Sequence, residues 1–376
     1  MIQFPESGWT KLADELGQRF AERAHEHDAK DEFVWDNYEE LKERKVLAAG
    51  VPAELGGGGA SVADLAGLLR TFAHHCSSTA LALSMHTHLI ATTTWRWRNQ
   101  KAPVDGLLKR VVAENLVLVS TGGADFLLGS GKAEKVDGGF RITGRKIFCS
   151  GAPAGSMMMT TAIYEDPEAG PTVLQYPLPM TTAGVKVEDN WRTIGMRGTG
   201  SHDITLESVF VPDAAVALRR PSGVWHPFIH LIAMVALPVF NAVYVGVAEA
   251  ARAVALEMAQ RRRDDPLVQA TAGELDNEVT AAQLALGRMV ELAMTATPGP
   301  QVTIEAMGCR AILGRSVRAA VDKAMELAGG GSFFRAAKLE RLFRDAQGVR
   351  FHPLQEKPQL ALAGRVALGL PFDEPR

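Results

Sequence analysis

Residues 139–150 read GFRITGRKIFCS, and residues 202–212 read HDITLESVFVP. Both mix β-branched or aromatic residues with polar ones and are punctuated by Gly, Pro or Ser, the grammar of short strands. Similar pieces stand at residues 117–121 (VLVST), 157–164 (MMMTTAIY), 172–178 (TVLQYPL) and 184–189 (GVKVED). No long helical period interrupts them between residues 116 and 220. A doubly wound sheet is therefore excluded, and a small sandwich or barrel is expected.

Helical patterning lies on both sides. Before the strands, Leu12, Leu16, Phe20 and Ala24 recur at helical spacing, and residues 36–45 form a charged amphipathic run. VPAELGGGG (residues 51–59) reads as a loop, after which Ser61 and Asp64 mark a capped helix start. Helix signals run on from Leu65 through Ala82 to Trp97, and Pro103 opens a last short helix. Beyond the strands, helices are expected over residues 230–262, 266–296, 300–328, 333–350 and 356–368, broken by TPGP (297–300) and GGG (329–331). The fold class is α+β, in three parts: an N-terminal helical domain (1–115), a central β domain (116–220) and a C-terminal helical bundle (221–376).

Composition narrows the function. Of 376 residues, 47% are hydrophobic and 22% charged, which excludes a disordered or fibrous chain. A net charge of −3 without single-sign blocks points away from nucleic acid and anionic membranes. Cys76, Cys149 and Cys309 are few and scattered, so a disulfide framework is not expected and a reducing cytoplasm fits. The N-terminus lacks a signal-peptide pattern. The apolar residues 227–250 are long enough to cross a bilayer. They carry His230, Pro238, Asn241 and Glu249, however, and read better as a core helix.

The sequence has no P-loop, no GxGxxG after a strand, no GxSxG elbow and no HExxH helix. His74, His75, His86 and His88 cluster, and His226 and His230 are four apart. None has the partners of a metal site, so these are expected to line a cleft or sit satisfied in the core. In GRKIFCSG (residues 144–151), period two puts Phe148 and Ser150 on one face and Cys149 on the other. A flat aromatic beside a hydroxyl suits a planar heterocycle. An ordinary strand ending in a turn serine would read the same way.

VPAELGGGG, VSTGGAD (119–125), GRKIFCSG, IGMRGTGSHDITLESVFVP (194–212) and LAGGGSFFRAAKLERLFRDA (327–346), in that order, resemble the acyl-CoA dehydrogenase superfamily of flavoenzymes. The resemblance implies a flavin between the β domain and the bundle, in a homotetramer. Ser120 and Thr121 would contact the pyrimidine edge, Phe148 would flank the ring and Ser150 would bond N5. Arg197 and Ser201 would lie at the substrate mouth. Gly329, Gly330 and Gly331 of a neighbouring subunit would approach the dinucleotide of FAD, where glycine permits close backbone approach. An acyl-CoA thioester is the family's substrate and electron-transfer flavoprotein its partner. Arg344 and Asp345 are expected to be structural, through the pairs Glu340–Arg344 and Arg341–Asp345.

Two features depart from the dehydrogenase pattern. The family's glutamate base follows the Arg-Asp pair in a Tyr-Glu-Gly-Thr context; here residues 351–358 read FHPLQEKP. Pro353 takes the glutamate's place, His352 precedes it, and Glu356 is three residues beyond. The alternative base position holds Ala236, Leu237 and Pro238. The Arg-x-x-Phe-Gly signature for FAD is replaced by RRRDDPLVQ (261–269), leaving Arg261 as a candidate phosphate contact and FMN as an alternative to FAD. Both departures resemble the reduced-flavin monooxygenase branch, which is served by a flavin reductase. There, histidines at positions such as His352, His86 or His88 would assist substrate deprotonation or stabilise the flavin hydroperoxide. A third alternative is a non-catalytic relative that binds acyl-CoA.

Overall fold

The computed structural model describes residues 6–121 and 125–373. The N-terminal helices are α1 (Gly8–Lys30), α2 (Trp35–Glu43), α3 (Val62–His75), α4 (Ser77–Gln100) and α5 (Asp105–Glu114). The Ser61–Asp64 cap forms as expected: the Asp64 amide donates to Ser61 Oγ (3.1 Å) and the Ser61 amide to Asp64 Oδ2 (3.0 Å). The run expected as one helix from Leu65 to Trp97 breaks at Cys76, whose extended backbone separates α3 from α4.

Among the described residues eight strands follow: β1 (Leu118–Ser120), β2 (Lys132–Val136), β3 (Gly139–Lys146), β4 (Met157–Asp166), β5 (Gly170–Pro179), β6 (Val185–Val187), β7 (Ile204–Pro212) and β8 (Leu218–Pro221). They form one hydrogen-bonded sheet in the order β6-β7-β3-β2-β4-β5-β8, with β1 beside the start of β4. Phe140, Ile142, Met158, Leu174, Tyr176 and Leu206 fill its apolar interior. Strand β2, KAEKV, escapes the sequence reading because only Ala133 of its five residues is buried.

The C-terminal helices are α6 (Pro227–Ala259), α7 (Pro266–Thr295), α8 (Pro300–Ala328), α9 (Leu339–Ala346) and α10 (Glu356–Ala367). Helix α6 is long and apolar enough to cross a membrane, yet 94% of its most apolar window is buried inside the protein. It packs against α3, α4, α7 and α8, at the centre of the main core. At Gly246 the α3 backbone passes so close that an added Cβ would stand 2.3 Å from the Arg70 carbonyl.

Helix α9 ties the three parts together. Arg344 forms a two-pronged pair with Asp28 of α1 (2.6 and 3.0 Å) and bonds Glu340 (2.7 Å). Asp345 does not pair with Arg341. It accepts instead from the Ser77 hydroxyl of α4 and the Met196 amide of the β domain. Burial raises its pKa, and these two donors oppose the rise.

Candidate active site

A cavity of about 450 Å³ opens where α4, α6, the sheet and the loop after α9 meet. On the sheet side, Ser120 and Thr121 line it, with Thr121 donating to Asp125 Oδ2 (2.7 Å). Phe148 and Ser150 line it too, but not by strand alternation. Strand β3 ends at Lys146, and Phe148 adopts a left-handed backbone at φ 55°. That turn still brings both side chains to the cavity and leaves Cys149 fully buried in the sheet's core. The Phe148 ring is 45% exposed and meets Trp191 edge-on at 5.6 Å.

Ser150 belongs to a hydroxyl relay. Its Oγ lies 2.8 Å from Ser201 Oγ, which lies 2.6 Å from Thr199 Oγ1. Thr199 donates to the Met196 carbonyl (2.9 Å). With that proton committed, the relay runs from Ser150 to Ser201 to Thr199, leaving Ser150 lone pairs as its cavity-facing end.

Beneath this wall Lys146 is fully buried. It donates to Asp125 (2.8 Å), the Ser130 carbonyl (2.7 Å) and the Thr161 carbonyl (2.7 Å). Asp125 is the only carboxylate lining the cavity among the described residues, and Lys146 holds it.

Across the cavity stand two imidazoles. His352 stacks on Phe240 at 4.7 Å, and its Nε2 lies 2.7 Å from the Tyr244 hydroxyl. Arg310 donates to the His352 carbonyl, fixing the loop. Burial pushes the ring's pKa down to about 3, with Arg310 and His88 adding to the effect. His88, on α4, also lines the cavity; it is buried, and its Nδ1 has no hydrogen-bond partner among the described residues. Burial, with a smaller contribution from His86, holds its pKa down at about 4. Both rings are neutral at pH 7.

Three acyl-CoA dehydrogenase domain models match the chain in the order of its parts: the N-terminal domain over residues 10–102, the middle domain over 120–209 and the C-terminal domain over 238–356. The chain belongs to the acyl-CoA dehydrogenase family. It is a flavin-dependent oxidoreductase of that superfamily, and its relatives include monooxygenases and nitrososynthases. YdbM of Bacillus subtilis, whose name assigns it provisionally to the acyl-CoA dehydrogenases, is 26% identical, with 92% of each chain covered. The amino sugar nitrososynthase DnmZ of Streptomyces peucetius is 29% identical over 88% of this chain and 86% of that one. The structure of KijD3 in complex with FMN and a dTDP-amino-keto sugar superposes with a TM-score of 0.88 at 27% identity, over 99% of this chain and 96% of that one.

Set against the family's pattern, the other sequence candidates lie elsewhere. His86 does not line the cavity. Its Nδ1 accepts from the Leu118 amide (3.0 Å) and its Nε2 meets the Leu47 carbonyl (2.8 Å), so the ring ties β1 to α4. Glu356 opens α10 and pairs with Arg315 (3.1 Å) and Arg318 (3.4 Å), outside the cavity. Arg197 donates to the Thr193 carbonyl (2.9 Å) and lies 3.5 Å from Asp31, bracing the β domain against α1. Arg261 is exposed in the turn after α6. Gly329 to Gly331 follow α8, with Gly329 beside Arg262, so these two stretches neighbour each other and not this chain's cavity. Gly122, Gly123 and Ala124 lie outside the described residues. Sequence reasoning missed Trp191, Tyr244 and the polar face of α4 beyond His88. That last pattern was visible in the four-residue spacing of His88, Thr92 and Arg96.

Proposed function

We propose that this protein is a monooxygenase that uses reduced flavin and oxygen on a small aromatic or heteroaromatic substrate. The carrying observation is the cavity's titratable inventory. Its one described carboxylate is locked to Lys146, while two neutral imidazoles, His88 and His352, face the open space. Taking a proton from a carbon beside a thioester asks for a free carboxylate base, and neither Glu356 nor residues 236–238 supplies one.

The residues suit a flavin. Half-exposed Phe148 and partly buried Trp191 offer flat apolar surface, Ser120 and Thr121 offer polar groups, and the Ser150 relay ends in an acceptor matched to the N5–H of a reduced ring. When bound, the flavin supplies the oxygen chemistry. Ser150 would orient the ring, the apolar walls would exclude water, and His88 and His352 would hold or accept the substrate's proton. FMN is favoured over FAD by the loss of the Arg-x-x-Phe-Gly signature and by the FMN in KijD3. A separate flavin reductase would supply the reduced form in the cytoplasm. A subunit contact, as the proposed homotetramer would need, is supported by Phe333 and Phe334, 85% and 70% exposed beside Gly329 to Gly331.

The test needs no substrate. Reduced FMN bound to the protein is mixed with oxygen, and its reoxidation is followed by absorbance. We expect a slow, multiphase return, hastened severalfold by His352→Ala and unchanged by Glu356→Ala. Reoxidation as fast as that of free flavin, or sensitivity to Glu356 alone, contradicts the proposal.

A further inference from the structure

Helix α4 presents a second chemical feature to the cavity. His88, Thr92 and Arg96 are spaced four apart, so they share one face, and all three line the open space. Among the described residues, each has a polar group without a partner. His88 Nδ1 and Thr92 Oγ1 are buried without hydrogen-bond partners, in residues 8% and 5% exposed. The Arg96 guanidinium has no hydrogen-bond or ion partner among the described residues; it lies over the Phe228 ring at 5.4 Å. Burial lowers its pKa, and no neighbouring carboxylate opposes the shift. Unpaired polar groups in a partly dry cleft are costly unless a ligand completes them.

The rest of the cavity does not complete them. Asp125 is paired with Lys146, Arg220 is held by the carbonyls of Leu127 (2.6 Å) and Phe126 (3.3 Å), and Arg344 is paired with Asp28. Arg96 lies over the Phe228 ring, and Leu89 and Ile232 add apolar surface to the same cavity.

We infer that this face is a substrate ruler: the substrate carries a terminal anion that pairs with Arg96 and a reacting aromatic end beside His88, with the chain between them passing Thr92. Eight residues at about 1.5 Å each separate His88 from Arg96, roughly 12 Å along the axis. The substrate class is an aryl or heteroaryl compound with a short chain ending in carboxylate, sulfonate or phosphate. A neutral isostere would leave the guanidinium unpaired in the cleft, which is how such a site discriminates. The inference rests on the flavin-enzyme reading, but the binding it predicts involves oxidised flavin and no oxygen.

The experiment therefore uses FMN-loaded protein in air-stable oxidised form. Phenylacetate, phenylbutyrate and phenylhexanoate are each titrated against the matched amide, and binding is followed by the flavin difference spectrum and by calorimetry. We expect one of the two longer acids to bind at least about tenfold more tightly than its amide, a preference typical of a half-buried ion pair. Arg96→Gln should abolish the preference, Arg96→Lys should keep part of it, and Thr92→Val, which meets only the methylene chain of these probes, should leave the preference intact. FMN and riboflavin should bind Arg96→Gln with the same affinity ratio as the unaltered protein. Equal binding of every acid and its amide overturns the inference, as does a preference that survives Arg96→Gln. A selective loss of FMN over riboflavin in Arg96→Gln also overturns it, because the guanidinium would then serve the flavin phosphate. Should Arg96→Gln fail to fold, the comparison of acid with amide on the unaltered protein and Arg96→Lys still decides.

Discussion

His86 and His88 sit two residues apart on one helix and do different work. His86 spends both nitrogens on backbone and fixes β1; His88 lines the cavity, and its buried Nδ1 has no hydrogen-bond partner among the described residues. Burial holds both near pKa 4 and His352 near 3, which has a measurable consequence. In the unfolded chain these rings take up protons below about pH 6.5; in the folded protein they do so only near their depressed values. Stability is therefore whole above pH 6.5 and drains away as pH falls toward 4. Between pH 7 and 5, before most carboxylates titrate, each buried ring removes roughly 2 kcal/mol. Denaturant midpoints across that interval should fall, and His352→Gln should shallow the slope. A flat or rising profile would show that these rings are solvated or charged in the native state.

At the scale of elements, the position of the cavity depends on how closely α6 approaches α3 and α4. Gly246 permits that approach, because a Cβ there would collide with the Arg70 carbonyl at 2.3 Å. Gly246→Ala is expected to cost about 1–3 kcal/mol despite its better helix propensity, read from chemical denaturation. A neutral or stabilising result would mean the two helices separate freely. The helices themselves were legible, because α7 and α8 begin at Pro266 and Pro300 and their periodicity spans many turns. The break at Cys76 was not, since nothing in its local sequence forbids helix and the interruption comes from packing. Strand β2 was hidden by its charges, and the Phe148–Ser150 pairing was anticipated for a reason the backbone does not use. A period of two predicts one shared face, whereas a left-handed turn delivers it. Long-range partners were the least legible. Asp345 reaches Ser77 across 268 positions, and only the fold brings them together.

The whole molecule joins two kinds of specification. The shared family architecture, carried by the three matched domains and the clamp at Arg344 and Asp345, forms the cavity. On the proposed reading, Pro353 at the place of the family's acid, with His352 beside it, redirects what that cavity can do, because a site without a free carboxylate would lack the base for α-proton removal while keeping the residues that suit a flavin. The most direct measurement is anaerobic mixing of the oxidised, flavin-loaded protein with short, medium, long and branched acyl-CoA thioesters, watching the flavin's visible band. The band should persist with every thioester. Rapid bleaching by any one of them would reveal a working dehydrogenase base and contradict the monooxygenase account.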